Sequence, residues 1–306
     1  MEEVSLTTYQ RTESWSILHT PETSPGMLIR VAQQVHSRIW TAEVSDLLTS
    51  PQFGVLRVLR DGPGLDQRTV GEQVLLDKAT GADVIARLVR RGWIRARRDP
   101  QDARRNLLWI TPAGRRLLAN AVPAAERVQL KLVEPLSGAD RAALLSLLLS
   151  VADQGEQPVP DFISRTPGAM IRVVQQVHNR IWTTAMPRAV TTVQYAVLAT
   201  LKSHPGLDQR TVAQRVVMDK ATGAGVVGRL VARQWLRVRQ DPQDRRRNLL
   251  WVTAGGERIL AEAQPHNARV QRQLMLPLTR PERDSFLRLM MAVGRLDLIG
   301  DAGPAG

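Results

Sequence analysis

Arg104 and Arg105, and further on Arg245, Arg246 and Arg247, each follow an Asp-Pro-Gln-Asp tetrapeptide and lead into Asn-Leu-Leu-Trp. The chemistry open to such guanidinium clusters is recognition of phosphates and base edges, because the planar fork matches both. The two stretches, Asp99–Thr111 and Asp241–Thr253, agree at 11 of 13 positions. Each follows a short alternating apolar–basic run, Trp93–Arg98 or Trp235–Arg239. Asp-Pro-Gln-Asp is turn chemistry, since proline fixes φ and aspartate bonds its own backbone. The pattern predicts a β-hairpin with arginines at its tip. A basic hairpin on a helical body is a device for reaching DNA, and this chain has two.

Other chemistries find little support. There are no cysteines, so thiolate metal sites, disulfides and thiol redox chemistry are excluded. Five histidines lie without paired spacing, so no metal is expected. No Ser-His-Asp arrangement, glycine-rich phosphate loop or carboxylate pair stands out; neither enzymatic activity nor a cofactor is expected. The net charge is +13, and lysine occurs only at 78, 131, 202 and 220. The basicity is therefore nearly all arginine, and the excess over acids points to a nucleic-acid partner. No apolar run approaches the ~18–20 residues of a membrane span, and the mixed polar start lacks a signal-peptide pattern. A cytoplasmic location is expected.

The elements that position these arginines come twice. Adding 142 to a position maps one half of the chain onto the other without a gap: Leu28–Trp40 matches Met170–Trp182 at 10 of 13 positions, and Gly64–Val70 and Asp77–Ala82 recur unchanged. Two copies make a duplicated domain rather than a solenoid. The expected organisation is an extension over 1–26, a first repeat over 27–152, a linker over 153–168, a second repeat over 169–297 and a tail over 298–306. Trp15, Ile17 and Leu18 can pack on the body by their type. Within the first repeat a helical stripe covers Met27–Leu48, and a second helix Gln52–Arg60 ends at Asp61-Gly62-Pro63-Gly64. Asp66 can cap a short helix Gln67–Val74, and Asp77 a helix Lys78–Arg91 stopped by Gly92. After the hairpin, Thr111-Pro112 opens a helix to about Val133. Ser137 precedes a last apolar helix, Arg141–Ala152. The second repeat runs the same way through Thr253 and Thr279.

This order of elements resembles the MarR family of winged helix-turn-helix regulators. Asp102-Ala103-Arg104 and Asp244-Arg245-Arg246 match the family's Asp-x-Arg wing signature. Leu-Trp-Ile-Thr-Pro-Ala-Gly and Leu-Trp-Val-Thr-Ala-Gly-Gly look like its passage from strand to helix. The resemblance implies a mainly α fold with small β-hairpin wings. Family members pair as homodimers through their first and last helices, so two fused copies imply an intramolecular pseudo-dimer: a monomer acting as one.

On that fold Lys78–Arg91 and Lys220–Arg233 are the expected recognition helices. Lys78, Thr80 and Asp83, with Lys220 and Thr222, are expected to face the major groove. Arg104 and Arg246 are expected in the minor groove, beside Arg105, Arg245 and Arg247. Gln67, Arg68 and Thr69, with Gln209, Arg210 and Thr211, stand at helix starts suited to phosphate. In the resembling family small aromatic acids often bind between the first helix, the second helix and the DNA-binding lobe. Here His36, Arg38 and Trp40 recur as His178, Arg180 and Trp182 and suit an anionic ring compound, although packing between copies is the other reading of the His and Trp. The expected function is a DNA-binding transcriptional repressor on an imperfect palindromic operator of double-stranded DNA, released by a small effector. Two rivals are a ligand-binding or protein-interaction module without specific DNA binding, and a non-specific architectural DNA binder.

Overall fold

The computed structural model describes residues 24–44, 48–102, 104–155, 157–186, 190–218, 220–244 and 246–295. Trp15, Ile17, Leu18, Ala103, Arg245 and the expected tail lie outside the described residues. The elements in chain order are α1 (Pro25–Val44), α2 (Ser50–Asp61), β1 (Leu65–Asp66), α3 (Gln67–Val74), α4 (Lys78–Arg90), β2 (Ile94–Arg98), β3 (Asn106–Ile110), α5 (Pro112–Leu132), α6 (Gly138–Ala152) and α7 (Asp161–Ser164). There follow α8 (Pro167–Ala185), α9 (Thr192–Ser203), β4 (Leu207–Asp208), α10 (Gln209–Arg215), α11 (Lys220–Ala232), β5 (Leu236–Gln240), β6 (Asn248–Val252), α12 (Ala254–Leu274) and α13 (Arg280–Val293).

Side-chain caps set most of these boundaries. Thr49 Oγ1 accepts from the Gln52 N–H while Gln52 Oε1 accepts from the Thr49 N–H at 3.0 Å, a reciprocal box that starts α2. Thr49 is extended at that cap; of the apolar stripe expected to run as helix to Leu48, α1 holds the part to Val44, and residues 45–47 lie outside the described residues. Leu48 is buried even so, and its carbonyl accepts from Trp40 Nε1 at 2.6 Å. Asp66 and Asp77 accept from Thr69 N–H and Thr80 N–H, each at 2.9 Å, and so begin α3 and α4 where the sequence placed them. Leu75 between them takes φ 52°, making the tight turn. Ser137 accepts from Asp140 N–H at 3.1 Å, so α6 starts three residues before the expected Arg141.

Each wing belongs to a three-stranded antiparallel sheet, in the orders β1-β3-β2 and β4-β6-β5. Leu65 stands opposite Leu108, and Ile94 opposite Ile110. The two-residue strands β1 and β4 carry too little pattern to be read from sequence; pairing with β3 and β6 defines them.

By packing, the described residues divide into two compact units: one within 29–180 with 274–295, the other within 181–273 with 24–28. In the first, Val55, Leu56, Leu59, Val70, Leu88, Ile94 and Leu108 form a buried core under α2, α3, α4 and the sheet. This unit also holds Arg288 of α13 against Asp140 of α6 at 2.9 Å, and Gly168 N–H of α8 on Gln129 Oε1 of α5 at 2.9 Å. The stretch 153–168, expected as linker alone, contains α7, whose Ile163 is buried and whose Phe162 packs on that core. In the other unit the same core recurs as Val197, Leu198, Leu201, Val212, Leu230, Leu236 and Leu250. Gly26 N–H there donates to Gln271 Oε1 at 2.9 Å. Among the described residues, no helix is long and apolar enough to cross a membrane.

Candidate nucleic-acid interface and cavity

The wing is built by its aspartates. Asp99 Oδ1 accepts from Gln101 N–H, Asp102 Oδ1 from Arg104 N–H, and Arg105 N–H donates to Asp102 O. These turns project Arg104 into solvent, and no ion pair holds it among the described residues. Arg105 was expected on DNA but is committed to Asp66 Oδ2 at 2.5 Å, with Asp99 at 4.0 Å. Asp66 thereby caps α3 and anchors the wing, 39 residues away along the chain, a coupling that no local pattern betrays. The second copy repeats it: Arg247 meets Asp208 at 2.8 Å, and Arg246 is exposed. Burial alone would raise the Asp208 carboxyl, but the Thr211 N–H and hydroxyl, helped by Arg247, hold it down to about 2.

Arg95 and Arg237 lie over the Trp109 and Trp251 rings at 5.7 and 5.8 Å. Those indoles in turn rest on Gly64 and Gly206, whose positive φ values of 82° and 81° favour glycine.

Of the residues expected at helix starts, Arg68 is 87% exposed and paired with Glu72 at 2.7 Å. Gln67 and Gln209 are half-buried. Thr69 and Thr211 give their hydroxyls to the capping aspartates. In the second copy Gln209, Arg210, Thr211, Arg246 and Arg247 line one open concavity with Asp208, so the structure brings these residues together. On α4, Lys78 is exposed at the first position, while the Thr80 hydroxyl donates to Asp77 at 2.6 Å. Asp83, expected to accept from a base, instead pairs with Arg87 one turn on, at 2.9 Å. Arg87 is thus a partner of Asp83 on the exposed side of α4 that sequence reading did not single out. On α11, Thr222 is exposed and Gly225 replaces the acid. The Lys220 side chain and Arg245 lie outside the described residues.

The residues expected at an effector divide. Trp40 lines a cavity of about 370 Å³ in the first unit, together with Phe53 and Phe162. Its ring meets Phe53 edge-on at 5.5 Å. His36 is buried 5.9 Å from Trp40, packed against Gly168, with neither ring nitrogen hydrogen-bonded. Burial, and then the nearby Arg172 guanidinium, push it down to about 4. Arg38 is exposed and does not line the cavity; the arginines that do are Arg57, Arg60 and Arg172. Arg172 donates to Val74 O at 2.7 Å and Leu75 O at 2.9 Å, the turn between α3 and α4. His178 is likewise buried and pushed down to about 4, by burial and then Arg30. Arg180 donates to Gln154 O, and Trp182 Nε1 donates to Val190 O at 3.1 Å.

Comparison with known proteins fits this arrangement. Residues 48–105 and 190–247 each match the model of the MarR family. Transcriptional regulator HosA of Escherichia coli O111:H- is 36% identical over 120 residues, 39% of this chain and 88% of that protein. HTH-type transcriptional repressor NicR of Pseudomonas putida is 32% identical over 132 residues, 43% of this chain and 84% of NicR. The PcaV transcriptional regulator from Streptomyces coelicolor, solved with its natural ligand, shares 40% identity over 44% of this chain and 95% of its own, with a TM-score of 0.43. Two copies of a winged helix-turn-helix, each matching the same model, stand in one polypeptide: the chain belongs to the MarR family of transcriptional regulators.

Proposed function

We propose that the protein is a sequence-specific repressor, in which one chain fills both halves of an imperfect palindrome in double-stranded DNA and a small aromatic anion releases it. Residues 27–152 and 169–297 act as the two halves of a pseudo-dimer in the cytoplasm, with no catalytic step. Lys78, Thr80 and Arg87 on α4, and their counterparts on α11, read the major groove; Arg104 and Arg246 enter the minor groove. The sign of regulation follows NicR, a relative described as a repressor.

The observation that carries the release step is the double role of Arg172, which lines the cavity and holds the carbonyls of Val74 and Leu75. A carboxylate entering among Arg57, Arg60 and Arg172 makes charge-assisted, bidentate hydrogen bonds stronger than those to neutral carbonyls. Drawing Arg172 toward the ligand frees the turn that fixes α4 against α3. Trp40, Phe53 and Phe162 supply the walls for a ring.

Selecting bound duplexes from a random pool, then challenging the complex with monocyclic aromatic carboxylates, tests the reading. A consensus with two related half-sites, released by one of the acids, is expected. Binding without a consensus would assign the protein to the architectural class, and no DNA binding at all would leave a ligand module.

A further inference from the structure

We infer that this chain takes one effector molecule, in the cavity of the first copy, where a homodimer of the same fold would offer two equivalent sites. The inference rests on the reading that an aromatic anion is the effector, and deepens it. A volume of about 370 Å³ falls within the range of small-molecule sites and suits a single ring with a carboxylate. Every lining residue lies between 40 and 172, inside one packing unit. Arg60 is tied to Asp61 at 2.7 Å. Arg57 makes no ion pair among the described residues, and its guanidinium sits 5.4 Å from the Phe162 ring centre, ready for an incoming anion.

The second copy keeps Arg30 as the counterpart of Arg172 but lacks a counterpart to Arg57. Ala199, buried, stands where the first copy has Arg57. Lys202 stands for Arg60 and is bound to Glu257 at 2.5 Å. Asn267 replaces Ala125, and its side chain hydrogen bonds to the hydroxyl of Tyr195, which replaces Phe53. The apolar wall is therefore polar and internally satisfied, and no arginine stands at the position of Arg57. The cavity positions have diverged further than the wing. Eight of the eleven lining residues that fall in α1 to α5 and their connections differ in the second copy, against two of thirteen in the wing stretch. The two copies have thus kept the wing while the cavity positions changed. The first cavity is also completed by Phe162 and Ile163, which belong to the connection between copies; Thr20 and Pro21 stand at the corresponding sequence positions.

Titration calorimetry on the full chain with monocyclic aromatic carboxylates (benzoate, hydroxybenzoates, nicotinate) reads stoichiometry and affinity together. The expected result is one molecule per chain. Arg57→Ala should weaken binding at least tenfold with DNA affinity intact, and Lys202→Ala should leave ligand affinity unchanged. Two sites of similar affinity would overturn the single-site inference while leaving the effector reading standing. Binding by none of the acids, with no release from DNA, would overturn both. Should Arg57→Ala fail to fold, the stoichiometry of the parent chain still decides.

Discussion

Arg105 commits its guanidinium to Asp66, whereas Arg104, one residue earlier, points into solvent with its backbone fixed by Asp102. Adjacent arginines thus have separate work, and mutation should part them. Arg104→Ala and Arg246→Ala should each weaken operator binding by about 1–3 kcal/mol and leave the melting temperature unchanged, because truncating an exposed tip opens no cavity. Fluorescence anisotropy with a melting curve checks both; parental affinity in both variants would remove these arginines from the interface. The buried histidines behave differently. His36 and His178 are each held near 4 in the folded chain against an ordinary 6.5. The folded state therefore refuses a proton that the unfolded state accepts. Stability is intact above about pH 6.5 and falls as pH drops toward 4, by on the order of 3 kcal/mol for each histidine at about 1.4 kcal/mol per unit. His36→Leu should flatten that slope between pH 6.5 and 4. The carboxylates Asp66 and Asp208, held low by their caps and arginines, act in a more acid window, below about 4. An unaltered slope in His36→Leu would mean that other groups control it.

At the level of elements, a close approach at the root of each wing fixes how strand meets helix. A Cβ on Gly114 or Gly256 would collide with the backbone carbonyl of Trp93 or Trp235. The same carbonyls accept the N–H of Thr111 and Thr253 at 3.0 Å, so they cannot move aside without loosening the hairpin. Gly114→Ala and Gly256→Ala should each destabilise the fold by about 1–3 kcal/mol, the usual range for overpacking, as read by urea unfolding. A parental midpoint in both would show that the junction yields. Elements of this kind were legible in the sequence where their signals are local. Asp66, Asp77, Thr111 and Ser137 announced their helices because a cap is a contact within three residues. The Asp-Pro-Gln-Asp turn and the 142-residue repeat were equally plain. What escaped were long-range consequences: β1 exists only by pairing with β3, and Arg105 reaches Asp66 across 39 residues. Arg172 reaches Val74 across 98. The cavity escaped for the same reason. Sequence reading chose Arg38 beside Trp40 on one helix, while the arginines that face Trp40 come from α2 and α8.

For the molecule as a whole, duplication within one chain removes the constraint that makes operators symmetric. In a homodimer identical residues meet both half-sites, so protein symmetry is mirrored in the DNA. Under the proposed operator reading, α4 and α11 differ at positions that would meet DNA: Asp83 faces Gly225 in the repeat, and Arg90 faces Ala232. The structure changes how the first difference acts. Asp83 holds Arg87 by two contacts, at 2.9 and 3.1 Å. Arg229, the counterpart of Arg87, passes over Gly225 with no carboxylate partner among the described residues. One guanidinium is restrained and half-neutralised; the other is free to reach a guanine edge or a phosphate. A well-placed bidentate contact is worth about 1–3 kcal/mol of base discrimination, enough to bias one half-site by roughly tenfold or more. The preferred operator should therefore be an imperfect palindrome, with the half read by α11 the more sensitive to salt, since its arginine has more charge to give to phosphates. Asp83→Gly should free Arg87 and draw the two halves of the consensus together. Selection from random duplexes with the parent and the variant, each at two salt concentrations, measures this directly. A strictly symmetric consensus in the parent, unchanged by Asp83→Gly, would falsify the claim that the halves read differently and return Asp83 to the solvated face of its helix.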